Sequence, residues 1–310
     1  MTLTELRYIV ALADKRHFGH AAASCYISQP TLSIAVKRLE EELGVTLFER
    51  SHAKITLTPI GERVVAQARQ ALAEAEAVKS IAQASQDELA GPLRLGAIYT
   101  IGPYLLPQLI PRVSEQAPRM PLLVEENYTA VLSEKLKHGE VDVILIALPF
   151  DEPGIETQAI YDEPFVTLLP ASHPLALQDA ISVEELGKET VLLLGEGHCF
   201  REQVLEACPL CAPKSDRQAD LQKTLEGASL ETIRMMVTSG VGVTVVPCTA
   251  AGAERYAERL LAIRRFRDAS PGRTVALAWR SSFPRPRAIE VLRQAVAGTS
   301  LGCVEKIPGN

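Results

Sequence analysis

The chain has 310 residues, 47% of them hydrophobic and 23% charged, with six cysteines and a formal net charge of −6 at pH 7. This length predicts two or three domains, and the composition excludes a disulfide-rich secreted scaffold. The negative charge argues against indiscriminate nucleic-acid binding but permits a local DNA-binding surface. Because no secretory signal and no long apolar run is present, we expect a cytoplasmic protein with reduced thiols and no membrane partner.

The N-terminal region predicts short helices followed by a hairpin. Apolar spacing predicts a first helix that ends near Lys15, and residues 18–27 predict a second, alanine-rich helix. A third begins after the segment Ser28-Gln29-Pro30, with Ser28 or Gln29 near the cap and the proline in its first turn, and it ends at Gly44. Tandem short helices resemble a helix-turn-helix, and the alternating residues after them predict a two-stranded wing. A helical protein–protein module with a charged face is the alternative.

The segment AAASCYISQPTLSIAVKRLEEELGVTLFER, followed by LTPIGE, resembles the signature of LysR-type transcriptional regulators, with its spacing intact from Ala21 to Glu62. The resemblance implies a winged helix-turn-helix in residues 1–58 that reads double-stranded promoter DNA, and RNA polymerase as a further partner. Cys25 is expected in the core of this domain. The positions implied for DNA contact are Gln29, Pro30, Thr31, Ser33, Lys37 and Arg50.

Residues 59–90 predict a long linker helix. Thr58 and Pro59 suit a cap and a first turn, and small residues recur every three or four positions from Val64 to Ala82. A helix of about thirty residues is near 45 Å long and needs another surface over this stripe. We expect the antiparallel helix of a second chain there, rather than the helix's own domain, because LysR-type regulators dimerise through this element. The homodimer would carry two DNA readers for two half-sites.

Beyond Gly91 and Pro92, apolar strand patterns alternate with helical patterns at residues 104–113 and 131–138. This alternation predicts an α/β domain with mostly parallel strands. A last helix is expected over residues 286–297, and the tail beyond Cys303 is expected to be loose.

The C-terminal region resembles the periplasmic-binding-protein-like regulatory domain of the LysR family, which has two Rossmann-like subdomains and a small-molecule cleft between them. We expect the chain to leave the first subdomain, build the second and return. The predicted boundaries are 91–302 for the whole domain, 91–162 and 267–302 for subdomain I, and 163–266 for subdomain II.

The stretch VLLLGEGHCFREQVLEAC, residues 191–208, predicts a buried strand, a glycine turn and a helix with Cys199 in its first turn. Unpaired helix amides and the positive end of the helix dipole favour a thiolate there, as do the adjacent His198 and Arg201. An activated thiolate is the chemistry of a peroxide-reactive cysteine.

Cys208 lies nine residues beyond Cys199. In a helix this spacing separates the two Cα atoms by about 13 Å, whereas a disulfide tolerates no more than about 7 Å. The helix must therefore unwind before a bond can close, and oxidation would select the second conformation. Two alternatives stay open. Both cysteines can be apolar core residues, or they can form a tetrahedral zinc site with Cys211 and His198.

Within the LysR family, the segments GAIYTIGPYLLP, GEGHCFREQVLEAC and SLETIRMMVTSGVG are most similar to hydrogen-peroxide sensors. This resemblance implies that Cys199 is the peroxidatic thiol and Cys208 its resolving partner, without a cofactor or a metal. It also implies a homotetramer assembled from dimers. Glu202 stands where an aspartate is often found. The residues implied to place the peroxide are Thr100, Thr129, His198 and, with a looser alignment, Arg273.

The sequence therefore predicts a peroxide-sensing LysR-type transcription factor, not an enzyme. A reversible disulfide between Cys199 and Cys208 would repack the regulatory domains and activate oxidative-stress defence genes. One alternative is a LysR-type regulator that senses a metabolite in the cleft, with incidental cysteines. Another is a thiol peroxidase, which leaves residues 1–88 unexplained.

Overall fold

The structure is a computed structural model that describes residues 1–50, 55–84, 87–213, 218, 221, 228–252, 260–267 and 270–308. The chain divides into two compact units, one of residues 1–86 with 137–140, and one of residues 87–136 with 141–310. Helices and strands are numbered below in chain order through the described residues.

The first unit has the predicted winged helix-turn-helix. Ser28 caps the third helix, because its hydroxyl accepts a hydrogen bond from the Thr31 amide at 3.3 Å, and Gly44 ends that helix with φ of 70°. The second helix is three residues shorter than predicted, since Tyr26 has φ of 56°, which no helix continues. Cys25 was expected in the core of this domain. It is instead half-buried at the end of α2. The elements are α1 (Leu3–Lys15), α2 (Phe18–Ser24), α3 (Gln29–Leu43), β1 (Phe48–Arg50) and β2 (Ile55–Leu57).

The linker helix, α4 (Pro59–Ala84), begins at the predicted cap, where the Thr58 hydroxyl accepts a hydrogen bond from the Gly61 amide at 2.9 Å. Its first turns pack on the core of their own unit, where Val65 and Ala68 are each 3% exposed. Farther along, Val78 is 67% exposed. The small-residue stripe is therefore covered by its own domain at the start of the helix, which corrects the expectation of a partner along its whole length.

The second unit is an α/β fold around one large sheet, with two apolar cores. Its strands are β3 (Leu93–Ile98), β4 (Leu122–Asn127), β5 (Val143–Ala147), β6 (Ile155–Pro170), β7 (Ala180–Ile181), β8 (Val191–Leu192), β9 (Val243–Pro247), β10 (Leu261–Phe266), β11 (Gly272–Arg280) and β12 (Glu305–Lys306). Its helices are α5 (Gly102–Gln116), α6 (Thr129–Lys137), α7 (Val183–Leu186), α8 (Cys199–Ala207), α9 (Leu230–Thr238), α10 (Cys248–Ala251) and α11 (Pro286–Ala297). Among the described helices, none has both the length and the apolarity that a bilayer span requires.

The sheet is mixed, so the expectation of mostly parallel strands is wrong. Strands β3, β4 and β5 pair in parallel, and so do β8 with β9 and β7 with β10. The long strand β6 pairs antiparallel with β9, β10, β11 and β12. The reason is the path of the chain: it leaves the first core along β6 and comes back along β11, which must run in the opposite direction.

The two cores define two subdomains. Subdomain I packs α5 and α11 on β3, β5 and β11, and subdomain II packs α8 and α9 on β8, β9 and the second half of β6. The helix predicted over residues 286–297 is confirmed as α11. Strand β6 contributes residues to both cores and therefore joins the subdomains directly, and β11, which lies in subdomain I, pairs with it.

The described residues beyond Cys303, 304–308, include a paired strand, so the expectation of a loose tail is wrong for them. Strand β12 pairs with β6, with Glu305 opposite Asp162 and Lys306 opposite Tyr161. Just before it, Cys303 forms a disulfide with Cys248 across 55 residues, with a Cα–Cα distance of 6.1 Å. The expectation that the thiols are reduced therefore fails for this pair.

We predict that Cys303→Ser lowers the free energy of unfolding by about 4 kcal/mol without reductant, because the disulfide closes a loop of 55 residues in the unfolded chain. Urea denaturation measures this difference. As a control, the wild type and the variant should be equally stable in reductant, which also opens the disulfide between Cys208 and Cys211 in both proteins. Equal stability of the two proteins without reductant would contradict the prediction.

Candidate functional site

Cys199 is the first residue of α8, at the junction of the two apolar cores. The strand before it is short, but all four residues from Val191 to Leu194 are buried, as the apolar run predicts. Cys199 is half-buried, has no disulfide and contacts the core of subdomain I. Its helix places Phe200 and Val204 in the core of subdomain II. A movement of α8 at the thiol would therefore change the packing of both subdomains.

His198 occupies the cap position of α8 and packs against two tyrosines. Its ring centroid is 4.7 Å from that of Tyr128 and 6.0 Å from that of Tyr99. Burial lowers the pKa of His198, so the imidazole is neutral at pH 7. The sequence analysis had expected His198 to favour a Cys199 thiolate. A neutral imidazole can do this only as a hydrogen-bond partner and not as a positive charge.

Arg201 has a structural contact of its own. Its guanidinium donates a hydrogen bond to the Leu194 carbonyl at 2.8 Å and so ties the end of the buried strand to α8. Between them, Gly197 has φ of 90°, and a Cβ atom there would lie 3.4 Å from the Tyr128 ring. The turn that presents Cys199 is thus fixed by the hydrogen bond from Arg201 to the Leu194 carbonyl and by the positive φ of Gly197, which favours glycine.

Arg273 is the centre of a buried polar cluster. It forms an ion pair with Glu163 at 2.8 Å, in which both side chains are fully buried. The guanidinium also donates to the hydroxyl and to the carbonyl oxygen of Thr100, at 2.8 Å each. Its central carbon lies 5.4 Å from the centroid of the Phe200 ring. Arg273 therefore connects strand β11 to Thr100 in subdomain I and to helix α8, which carries Cys199.

Glu163 is held from the other side as well. The amide of Thr249 donates to its carboxylate at 3.2 Å, and the Thr249 hydroxyl donates to the same oxygen. A buried charge pair is stable only when its remaining hydrogen-bonding capacity is satisfied, and these contacts satisfy it. Glu163 had no sequence signal, because it lies 110 residues from Arg273 along the chain.

Thr129 begins helix α6 and differs from Thr100 in its contacts. Its hydroxyl oxygen is buried, and among the described residues it has no hydrogen-bond partner. An unpaired buried hydroxyl is costly, so it marks a position where a small polar molecule can bind. The neighbouring Tyr128 contacts His198. The structure therefore brings Thr100 together with Arg273, and it places Thr129 one residue from the tyrosine that packs on His198.

Cys208 is bonded to Cys211 and not to Cys199. The Cα atoms of Cys208 and Cys211 are 5.5 Å apart, and both residues are buried. The helix predicted between Cys199 and Cys208 is present in full as α8, and a short 3-10 turn, Pro209–Cys211, follows it. A zinc ion held by Cys208 and Cys211 is incompatible with a disulfide between them. The expectation of reduced thiols fails for this second pair too.

The proposed DNA-reading residues lie on the outer side of α3. Leu32, Val36 and Leu39 are buried, which turns the other face outward. Gln29, Pro30, Thr31 and Lys37 are exposed, and Ser33 is half-buried. Arg50 ends β1, and the wing tip, residues 51–54, lies outside the described residues.

On the outer face of α3, Thr31 and Lys37 already have partners within the protein, and two further exposed residues lie beside this face. The Thr31 hydroxyl is 2.7 Å from that of Ser28, and Lys37 forms an exposed ion pair with Glu41 at 3.6 Å. Such a pair contributes little stability and leaves the ammonium group free to exchange partners. Sequence reasoning missed Tyr26 and Ile34, which are 96% and 69% exposed beside this face. Ile34 could have been found, because it interrupts the polar face between Leu32 and Val36.

Comparison with known proteins assigns both units. The family model described as bacterial regulatory helix-turn-helix protein, lysR family, matches residues 3–62. The family model for the LysR substrate binding domain matches residues 86–300. A probable hydrogen peroxide-inducible genes activator of Streptomyces viridosporus is 40% identical over 95% of this chain and 93% of the relative. The DNA-binding transcriptional dual regulator OxyR of Escherichia coli K12 is 34% identical over 99% of this chain and 98% of the relative.

Two solved structures are similar over most of their length. Full-length OxyR of Pseudomonas aeruginosa, with a cysteine replaced by aspartate, has a TM-score of 0.81 and 51% identity over 100% of this chain and 99% of that one. A mutant OxyR of Corynebacterium glutamicum with bound hydrogen peroxide has a TM-score of 0.60 and 35% identity over 95% and 91% of the two chains.

The chain belongs to the LysR family of bacterial DNA-binding transcription regulators. Within that family it is OxyR-like, as the sequence resemblance had indicated. It is a regulator and not an enzyme, so the thiol peroxidase alternative and the protein–protein module are wrong.

We predict that Glu163→Gln destabilises the protein by about 3 kcal/mol, because it leaves the buried Arg273 guanidinium without a counter-charge. Urea denaturation at pH 7 measures the loss. Asp151→Asn, at an exposed position, is the matched control and should change stability by less than about 0.5 kcal/mol. Equal effects of the two substitutions would show that the ion pair contributes no stability.

We predict that His198 makes stability depend on pH on the acid side of neutrality. Because burial lowers its pKa, the unfolded chain, whose imidazole titrates near 6.5, takes up the proton first as the pH falls. The contribution of His198 is present in full above about pH 6.5 and is lost below it. Between pH 7.5 and pH 5, the urea midpoint of the wild type should therefore fall more than that of His198→Gln. Parallel pH profiles of the two proteins would contradict the prediction.

Proposed function

We propose that this protein is a peroxide-activated transcription factor in which Cys199 is the sensing thiol. The observation that carries the proposal is the position of Cys199, a free thiol on the first turn of α8 at the junction of both cores. Relatives named as hydrogen peroxide-inducible genes activators support the same signal. Double-stranded promoter DNA is the partner of α3, and oxidative-stress defence genes are the targets.

In the first step the Cys199 thiolate attacks one peroxide oxygen. A sulfur–oxygen bond forms, the oxygen–oxygen bond breaks, and the leaving hydroxide takes a proton to become water. Thr129 would hold the peroxide through its unpaired hydroxyl, and the neutral imidazole of His198 would donate or accept a hydrogen bond beside it. Thr100 and Arg273 complete the set, with Arg273 holding Thr100 in place.

In the second step the Cys208 thiolate attacks the sulfenic sulfur of Cys199, and hydroxide leaves. Because α8 separates the two cysteines by about 13 Å, this bond requires α8 to unwind. Unwinding withdraws Phe200 and Val204 from the core of subdomain II and removes the contact between Phe200 and Arg273. The chemical event thus becomes a change of packing around the cluster that joins the two subdomains.

The packing change is passed to DNA through an oligomer. We assign residues 1–58 as the DNA reader, 59–90 as the linker and 91–302 as the sensor, with subdomains divided at 162 and 266. Val78 of α4, which has 67% of its surface accessible, suits pairing of linker helices in a homodimer, and dimers assemble into a homotetramer. Gln29, Pro30, Thr31, Ser33, Lys37 and Arg50 contact DNA, RNA polymerase is the downstream partner, and the protein acts in the cytoplasm.

We predict that Cys199→Ser abolishes the peroxide response and leaves DNA binding intact. A promoter fragment selected by the reduced wild type serves as the probe, and DNase I footprints are compared before and after one equivalent of peroxide. The wild-type footprint should change, and that of Cys199→Ser should not. Cys25→Ser, which removes the other free cysteine, is the matched control and should respond like the wild type. An unchanged peroxide response in Cys199→Ser would overturn the proposed function.

A further inference from the structure

Cys211 has no part in the function proposed above, yet it holds the sulfur of Cys208. The bond coexists with the complete helix α8, Cys199–Ala207. Cys208 ends that helix, and the Cys211 amide donates to the Cys208 carbonyl at 2.9 Å within the 3-10 turn. Pairing of Cys208 with Cys211 therefore requires no change in the fold.

The turn that carries Cys211 is fixed by close packing. A Cβ atom on Gly187, which follows helix α7, would lie 2.5 Å from the Cβ atom of Leu210. Both cysteine side chains belong to the core of subdomain II, with exposures of 0% for Cys208 and 3% for Cys211. The native packing of subdomain II thus keeps the two sulfurs together.

Pairing of Cys208 with Cys199 has the opposite requirement. It needs α8 to unwind, and unwinding exposes Phe200 and Val204, which are 2% and 1% exposed in the folded helix. Both pairings contain one disulfide and one free thiol, so they have the same oxidation state. What distinguishes them is the folding of α8, which favours the bond between Cys208 and Cys211.

We propose that Cys211 is a second resolving thiol, which takes Cys208 from Cys199 and ends the signal; this inference rests on the proposed function. After the disulfide between Cys199 and Cys208 has formed, the Cys211 thiolate attacks the Cys208 sulfur. A bond forms between Cys208 and Cys211, the bond between Cys199 and Cys208 breaks, and its electron pair leaves on Cys199 as a thiolate. The exchange needs no further oxidant or reductant, and α8 refolds as it proceeds.

The consequence is a self-limiting sensor. The strained disulfide between Cys199 and Cys208 is transient, and the structure with bonded Cys208 and Cys211 is the state that follows it. In that state Cys199 is a thiol again, but it has no resolving thiol at position 208. The protein is then refractory to a second signal until a cellular dithiol reduces the bond between Cys208 and Cys211.

The test follows disulfide formation in the full-length protein. Wild type, Cys211→Ser, Cys211→Ala, Cys199→Ser and the control Cys25→Ser are reduced, freed of reductant and treated with one equivalent of hydrogen peroxide. Samples are quenched with acid over time, alkylated and analysed by peptide mass spectrometry. Cys211→Ala preserves an apolar side chain at this buried position, in case serine prevents folding.

In the wild type and in Cys25→Ser, the bond between Cys199 and Cys208 should appear first and then give way to that between Cys208 and Cys211. The second should exceed the first at the end by about ten-fold or more, since burial of even one large apolar side chain shifts an equilibrium by that factor. In both Cys211 variants, the bond between Cys199 and Cys208 should persist. The peroxide-induced footprint should last correspondingly longer in these variants.

Three outcomes would overturn the inference. If the wild type ends with Cys199 bonded to Cys208, as the Cys211 variants do, the exchange does not occur, and the proposed function still stands. If Cys199→Ser forms the bond between Cys208 and Cys211 as fast as the wild type, this pair is oxidised directly and not through Cys199. If no disulfide or sulfenic acid involves Cys199 at any time, the proposed function itself is wrong.

Discussion

The buried ion pair between Arg273 and Glu163 is the interaction on which the regulatory unit depends. Its two residues lie on β11, in subdomain I, and on β6, the strand that contributes to both cores. Each partner reaches outward, Arg273 to Thr100 and the Phe200 ring, and Glu163 to Thr249. Two fully buried charges are tolerated only while all of these partners keep their places. The pair therefore makes the positions of α8, α10 and the loop before α5 depend on one another.

This dependence explains how oxidation of one sulfur can affect a whole domain. Phe200 follows Cys199 directly and packs both on Arg273 and on Phe165, whose ring centroid is 5.0 Å away. Any event that removes Phe200 from this position takes an aromatic face from a desolvated cation. That change destabilises the ion pair and the core around it, and not only helix α8. A chemical change at a single side chain is thereby coupled to packing on both sides of the sheet.

The sequence predicted the parts of this molecule that are set by short-range chemistry. Ser28, Pro30 and Gly44 define the bounds of α3 because capping and turn preferences act within one helical turn. The helix over residues 286–297 was predicted with its observed bounds, and the glycine turn before Cys199 indicated the helix that begins there. The end of α2 was predicted wrongly, because Tyr26 has a left-handed backbone and no adjacent glycine or proline in the sequence indicates it.

The errors concern contacts between distant parts of the chain. The partners of Arg273 lie 110 and 173 residues away, so neither could be inferred from spacing. The disulfide between Cys248 and Cys303, which orders the predicted loose tail, is invisible for the same reason. Strand direction depends on the path of the chain between the subdomains and not on any local pattern. The resemblance to a known family supplied the residues of the candidate site, but not the neutral state of His198, which follows from burial.

The continuity of β6 restricts which motions are open to the regulatory unit. This strand has 16 residues and serves both cores, and it is hydrogen-bonded to β11 from Ile155 to Pro164. Two paired strands bend and twist, but they do not act as a free hinge, because large rotations would break their ladder of backbone hydrogen bonds. Domain closure of the kind that unpaired connecting segments allow is therefore costly here. A fold with this connection favours local refolding over rigid-body closure, which suits a stimulus no larger than a pair of oxygen atoms.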